Sequence, residues 1–188
     1  MKIFLFFCLA LISISAQSRE IEGAFGLKFN SYKEIETKQY KKIKFIPEEG
    51  FEFLMFQNYF YSVTPKTNKI YSITAEGSVI NNCQKDLGII NKIIKDKYDI
   101  QSTKKESPVK YEKDDELVYD FMITYSFRSD DKQILLTCDP EYKTIVITYM
   151  DINAVTSAVE EAETLLNKDI KSEIKKLKEE DKYKTRGF

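Results

Sequence analysis

The sequence predicts an α+β protein: a mostly antiparallel β-sheet, helices packed on one of its faces, and a long C-terminal helix. Runs rich in aromatic and β-branched residues alternate with short turn-forming stretches that contain proline, asparagine or aspartate, which is typical of hairpins. Two other segments repeat apolar residues every three or four positions, the spacing of a helix. Each such segment follows a predicted hairpin, an order that favours a sheet covered by helices.

The N-terminal part of this predicted domain begins with a short strand and a short helix. Large apolar residues alternate over residues 24–29, as in a strand. Ser31 and Glu34 have the spacing of a capping box, in which the serine accepts from a backbone N–H and the glutamate reaches back. This spacing predicts a helix over residues 32–39.

A hairpin is predicted next. Residues 51–63 are rich in phenylalanine and tyrosine, and residues 65–68 form a turn that leads to a second strand over residues 69–74. Both faces of the first strand are apolar over part of residues 51–61, so it is either a strand covered on both sides or an exposed aromatic surface.

The first long helix is predicted from about Val79. Its apolar residues follow steps of three and four: Ile80, Cys83, Leu87, Ile90, Ile94 and Tyr98. Cys83 lies on this stripe, so its thiol is expected to point toward the sheet.

The second half repeats the order of strands and helix. Residues 99–108 are polar and turn-prone, and are predicted to be a loop between two sub-units, residues 19–98 and 109–188. Three antiparallel strands are predicted over residues 118–127, 133–138 and 144–151.

A helix over residues 152–182 ends the predicted fold. Its apolar positions also step by three and four: Val155, Val159, Ala162, Leu166, Ile170, Ile174 and Leu177. At 1.5 Å per residue it spans about 45 Å, more than a small sheet covers. Its distal part is therefore expected to contact a partner or a second copy, to rest on an anionic surface, or to end as a solvated helix.

The two halves share a local pattern. Residues 60–70 and 135–145 each consist of a strand, a polar residue with proline, turn residues, and a strand that opens with isoleucine. The pattern indicates either a duplicated hairpin-plus-helix unit or convergence on ordinary hairpin sequences.

The first residues have the three parts of a secretory signal peptide. Lys2 precedes an apolar run over residues 3–14, and small and polar residues follow, which predicts cleavage after Ser18 or, as second choice, Ala16. The run is too short to span a membrane, and no later segment is a candidate span. We therefore expect an exported protein, periplasmic or secreted, with a single domain over residues 19–188.

Composition excludes several classes of function. The chain has no histidine, so it lacks Ser-His-Asp and Cys-His catalytic groups and the common zinc sites. Arginine occurs only three times and the net charge is −1, so a nucleic-acid partner is not expected. No cofactor and no metal are expected either.

The two cysteines beyond the leader are predicted to form a disulfide. An oxidising compartment favours a bond between Cys83 and Cys138. If the protein is not exported, two buried free thiols are the alternative.

Two functions are consistent with these observations. The first is a non-enzymatic binding protein of the cell envelope or secreted space, whose partner is a protein or envelope component. Its contact residues are predicted on an aromatic sheet face or on the last helix, which also offers a surface for oligomers: Phe51, Phe53, Tyr59, Tyr61, Ile170, Ile174 and Leu177. The second is a histidine-independent hydrolase that resembles glycosidases in using two facing carboxylates, one with a raised pKa.

Overall fold

A computed structural model of the protein describes residues 20–35, 42–49, 55–113 and 115–184, with side chains up to residue 176. In chain order the elements are β1 (Gly23–Ala24), β2 (Leu27–Lys28), β3 (Ile43–Phe45), β4 (Phe56–Val63), β5 (Ile70–Ser78), α1 (Cys83–Tyr98), β6 (Ser102–Lys113), β7 (Glu116–Ser129), β8 (Lys132–Asp139), β9 (Thr144–Asp151) and α2 (Ile152–Lys184). The leader predicted at residues 1–18 lies outside the described residues.

The fold is α+β, as predicted. Strands β3 to β9 form one antiparallel sheet in the order β3-β4-β5-β9-β8-β7-β6, and β1 pairs with β2 as a separate hairpin. Both halves of the chain contribute to this sheet, because β5 from the first half pairs with β9 from the second. The predicted hairpin of β4 and β5 and the three predicted strands β7, β8 and β9 are all present.

Helix α1 covers one face of the sheet and closes the main core. Leu87, Ile90, Ile94 and Tyr98 are buried, as their spacing predicted. Each such side chain contributes about 2 kcal/mol through the apolar area that it removes from water. Ile80 does not belong to this stripe: the helix begins only after the cap residue Asn82, and the side chain of Ile80 is exposed.

The segment predicted as one strand over residues 24–29 is instead a tight hairpin. Phe25 and Gly26 have φ angles of 53° and 85°, and this left-handed pair reverses the chain between β1 and β2. The ring of Phe25 consequently packs edge-on against Tyr59 and Tyr149, with ring centroids 5.0 and 5.7 Å away.

The helix predicted from residue 32 is absent over residues 32–35. Tyr32 forms a β-bridge with Lys69, and the backbone N–H of Lys33 donates to the carbonyl of Asn68 at 2.9 Å. The hydroxyl of Ser31 donates to the carbonyl of Lys28 at 2.7 Å instead of accepting as a helix cap. Pairing with the residues just before β5 thus satisfies backbone groups that would otherwise form hydrogen bonds within a helix. Residues 36–39 lie outside the described residues.

The predicted loop at residues 99–108 is wrong from Ser102, where β6 begins. Residues 103–106 of this strand are exposed and polar, so they lack the alternation that marks a half-buried strand. Pairing along the whole of β7 holds β6 in place as the edge strand of the sheet.

Helix α2 contacts the sheet through small residues. Ala154 and Ala158 are buried and the helix lies chiefly against β5 and β9, whereas Val159 and Leu166 of the predicted apolar stripe are exposed. Alanine lets the helix backbone approach closely, so the contacting side is not the most hydrophobic side. Among the described residues, no helix combines the length and apolar character needed to cross a membrane.

The turns of the two similar segments adopt the same local conformation. Asn68 and Lys143 occupy corresponding positions in residues 60–70 and 135–145, and their φ angles are 51° and 49°. The shared geometry agrees with either origin, duplication or convergence on one hairpin type, and duplication stays a hypothesis.

Candidate functional site

The hairpin of β6 and β7 extends beyond the rest of the sheet. β7 pairs with β8 only from Ile123 to Ser129, whereas its pairing with β6 continues to Glu116. Residues 107–122 therefore form a two-stranded arm, here called the β6–β7 arm; residue 114 at its tip is not described. Among the described strands, only β6 pairs with β7 along this arm.

One face of the β6–β7 arm carries exposed apolar side chains. Leu117, Tyr119 and Phe121 alternate along β7, so they point to the same side of the ribbon. They are 52%, 72% and 51% exposed. The ammonium of Lys110 lies 5.6 Å from the ring centroid of Tyr119, on the strand opposite. Clustered exposed apolar groups rimmed by charge are typical of interaction sites.

A cleft of about 630 Å³ separates the arm from the start of α1 and the turn between β8 and β9. Its lining combines apolar residues with charges of both signs. The lining residues are Val79, Ile80, Asn81, Asn82, Cys83, Gln84, Glu106, Tyr111, Asp120, Phe121, Ile123, Pro140 and Lys143. Ile80 and Phe121, both exposed, thus belong to the same cleft.

Asp86 builds the wall of the cleft that faces the arm. Its buried carboxylate accepts from the backbone N–H groups of Ile80 and Asn81 at 2.8 and 2.9 Å, and from the Asn81 side-chain amide at 2.6 Å. Burial alone would raise the pKa of Asp86, but these hydrogen bonds outweigh it and lower the pKa below its usual value. The segment before α1 is therefore folded back onto the helix, and Ile80 points outward.

Substitution of Asp86 by alanine is expected to destabilise the protein by about 3 kcal/mol at pH 7, because three donors lose a charged acceptor. Since the folded-state pKa is lowered, this contribution is present above the unfolded pKa of about 4 and is lost as the pH falls through the folded value. Urea denaturation at pH 7 and pH 3 should show a smaller pH dependence for Asp86→Ala than for the wild type. Asp96→Ala, an exposed change on the same helix, serves as control; equal pH dependence of all three proteins contradicts this role.

The turn between β8 and β9 forms the base of the cleft beside α1. Asp139 accepts from the backbone N–H groups of Glu141 and Tyr142 at 2.9 and 3.3 Å, which closes the turn. The carbonyl of Lys143 then accepts from the N–H of Val79 at 2.9 Å. This bond joins the turn to the segment that Asp86 holds, and Tyr142 is left exposed next to it.

The disulfide predicted from the sequence is present and lies at this cleft. Cys83 and Cys138 are bonded, with Cα atoms 5.6 Å apart. Cys83 lines the cleft, while Cys138 is fully buried in β8. The crosslink fixes the first turn of α1 to the sheet.

The strand edges of the arm are protected against pairing with another strand. The N–H of Phe121 donates to the carboxylate of Asp120 at 2.8 Å, so Asp120 occupies one backbone donor of β7. Pro108 lies opposite Phe121 on β6, and lysines 104, 105, 110 and 113 follow the same strand. Proline and lysine at an edge discourage the addition of another strand.

The aromatic residues predicted to bind a partner do not form an exposed face in the described region. Tyr59 is 6% exposed, and its ring packs against Phe25 and Phe45 in the core. Tyr61 is half-buried beside Phe45. Phe51 and Phe53 lie outside the described residues.

The residues predicted on the last helix remain accessible. Ile170 and Ile174 are exposed on α2, and Leu177 belongs to the same helix, although its side chain is not described. Sequence reasoning missed the β6–β7 arm. It recognised strand residues in β7, but the exposure of Leu117, Tyr119 and Phe121 depends on where β8 ends.

The carboxylates with shifted pKa values serve the fold. Burial would raise the pKa of Glu161, but hydrogen bonds from Lys66 and Thr67 of the β4–β5 turn outweigh burial and lower the pKa. In Asp131 the hydrogen bond from Lys132 lowers it. Across the described residues, no three His, Cys, Asp or Glu side chains are grouped as metal ligands would be.

No protein family, curated protein or solved structure matches this chain.

Proposed function

We propose that this is an exported, non-enzymatic binding protein that engages a protein partner through the β6–β7 arm and the adjoining cleft. The observation that carries the proposal is the row Leu117, Tyr119 and Phe121, exposed on a ribbon that projects from the sheet. Exposure of aromatic side chains to water is unfavourable. A partner that covers them removes this apolar area from water, which favours binding.

The chemistry of the surface favours a protein over a nucleic acid as the partner. Around the apolar row lie charges of both signs: Lys110 on the arm, and Glu106, Asp120 and Lys143 in the cleft lining. A surface that tracks phosphates would be basic throughout. Apolar anchors with a mixed charged rim are instead the usual composition of protein interfaces, in which tyrosine is among the residues that dominate affinity.

The carboxylate hydrolase is the less supported function. Its general acid needs a raised pKa. The pKa values of Asp86, Asp131 and Glu161 are all lowered, and each carboxylate holds a turn, a loop or a neighbouring lysine.

Export is supported by two independent features. The disulfide between Cys83 and Cys138 is consistent with an oxidising compartment. The apolar run at residues 3–14, preceded by Lys2, has the composition of a secretory leader.

Photo-crosslinking at Tyr119 tests the binding proposal. A benzophenone amino acid placed there, in the exported protein within its native extract, is expected to give a discrete adduct with a protein. The same probe at Tyr32, an exposed tyrosine outside the cleft, is the matched control and should give none.

The affinity for the captured protein should then fall at least about tenfold in the double variant Tyr119→Ala with Phe121→Ala, because it removes two anchors. Tyr32→Ala with Ile46→Ala removes equally exposed apolar groups elsewhere and should bind as the wild type does. Unchanged affinity of the arm variant, or glycan cleavage by the purified protein, would contradict the proposed function.

A further inference from the structure

Most of helix α2 extends away from the sheet. It contains 33 residues, which corresponds to about 50 Å. Its attachment lies near the start, where Ala154 and Ala158 are buried and Glu161 accepts from the N–H groups of Lys66 and Thr67 at 2.6 and 3.2 Å. Every described side chain from residue 166 to residue 176 is exposed.

The extended part carries an apolar stripe. Leu166, Ile170 and Ile174 are spaced four residues apart and are between 45% and 61% exposed. Val159, seven residues before Leu166, lies on the same side of the helix and is also exposed. Residues at these steps lie on one side of a helix. A helical segment that does not pack against its domain is only marginally stable in water. This part of α2 therefore needs a surface that covers the stripe in order to stay helical.

The charges along α2 change sign at its middle. Residues 152–167 contain three glutamates and no lysine or arginine. Residues 168–178, the part that carries the stripe, contain five lysines against two acids, and the last residues, 179–184, contain two lysines and three acids. A surface that covers the stripe must therefore be basic at one end and acidic at the other.

The α2 helix of a second copy has this distribution of charge when it runs in the opposite direction. We propose that two copies of the protein pair through the exposed stripes of their α2 helices, antiparallel to each other. With Leu166 of one copy opposite Ile170 of the other, Ala162 lies opposite Ile174 and Glu160 opposite Lys176. Such an interface uses the same patch twice, as two-fold dimers do. A parallel pair would place glutamates against glutamates and lysines against lysines.

This dimer is independent of the proposed binding through the β6–β7 arm. The arm variant with Tyr119→Ala and Phe121→Ala leaves α2 unchanged, and is expected to dimerise as the wild type does. Failure of either proposal is therefore distinguishable from failure of the other.

Sedimentation equilibrium of the purified, disulfide-bonded protein over a wide concentration range tests the pairing. The mass is expected to rise from one chain to two. The double variant Ile170→Glu with Ile174→Glu should dimerise at least about a hundredfold more weakly, since it places charges along the apolar seam. Thr164→Glu with Ser172→Glu adds the same charges at exposed positions on the opposite side of the same helix, and this control should weaken it far less. If the wild type stays monomeric at all concentrations, the proposal is overturned. If the monomeric protein also sediments with anionic vesicles, the stripe binds a lipid surface instead.

Crosslinking decides the orientation. The variants Ala162→Cys and Ile174→Cys are mixed and treated with a short bis-maleimide. The reagent does not react with the native Cys83 and Cys138, because they are disulfide-bonded. In the antiparallel pair the two new thiols face each other, whereas two copies of residue 162 lie about 18 Å apart along the axis. Efficient crosslinking of the mixture, with little in either variant alone, is the expected result. Efficient crosslinking of a single variant overturns the antiparallel arrangement.

Discussion

Replacement of both Cys83 and Cys138 by alanine is expected to lower the free energy of unfolding by about 4 kcal/mol. The bond closes a loop with a sequence separation of 55, and on the chain-entropy model its removal frees the unfolded chain by this amount. Cys138 is fully buried, so the smaller alanine also leaves a void beneath α1. The loss is a large fraction of the 5 to 15 kcal/mol, roughly, that stabilises a typical domain.

Urea denaturation of the wild type with and without reductant, and of the double alanine variant, measures this effect. Reduction should shift the wild-type midpoint toward that of the variant, and the variant should not respond to reductant. Two free thiols in the denatured, unreduced protein would show that the crosslink does not form.

Replacement of Asp151 by alanine is expected to cost about 3 kcal/mol. This carboxylate is 2% exposed at the junction of β9 and α2, and it accepts from the N–H of Ala154 and the side-chain amide of Asn30, each at 2.9 Å. The ammonium of Lys132 lies 3.1 Å from its second oxygen. Alanine therefore removes the helix cap and leaves buried donors without their acceptor.

Asp131→Ala provides the matched comparison for Asp151→Ala, since its more exposed carboxylate contacts the same Lys132 at 2.8 Å. It should lose much less stability, because solvent replaces its contacts. Denaturant midpoints measure the difference, and far-UV circular dichroism reports whether α2 stays helical. Equal stability of the two variants would contradict a structural role for Asp151.

Two features were predicted correctly from their own residues: the buried side of α1 and the pairing of the two cysteines. The spacing of Leu87, Ile90, Ile94 and Tyr98 defined the buried side of α1, because a helix packed on a sheet shows its core directly in its sequence. The pairing of Cys83 with Cys138 followed from their being the two cysteines beyond the predicted leader. Neither prediction required knowledge of neighbouring elements.

Elements whose environment is set by distant strands were not predicted. Residues 103–106 of β6 are polar on both sides, and the strand is held in place by its pairing with β7, which its own residues do not reveal. The burial of the Tyr59 ring depends on Phe25, which the β1–β2 turn places against it. The small Ala154 and Ala158, rather than the larger apolar residues, contact the sheet, so hydrophobicity alone selected the wrong side of α2.

The exposure of the β6–β7 arm has a similar origin. Nothing in β7 distinguishes Phe121, which is exposed, from Phe127, which is buried. The difference arises because β8 ends at Asp139 and Pro140 turns the chain, so no described strand pairs with β7 on that side before Ile123. Strand lengths in neighbouring hairpins thus decide which aromatic residues are exposed.

Three hydrogen bonds to Asp86 immobilise Ile80 and Asn81 as soon as the chain folds. Ordering a backbone residue costs on the order of 1 to 2 kcal/mol of conformational freedom. That cost falls on folding rather than on association, so the proposed partner would meet a rim whose shape is already set. Preorganisation of this kind raises affinity without adding a single contact.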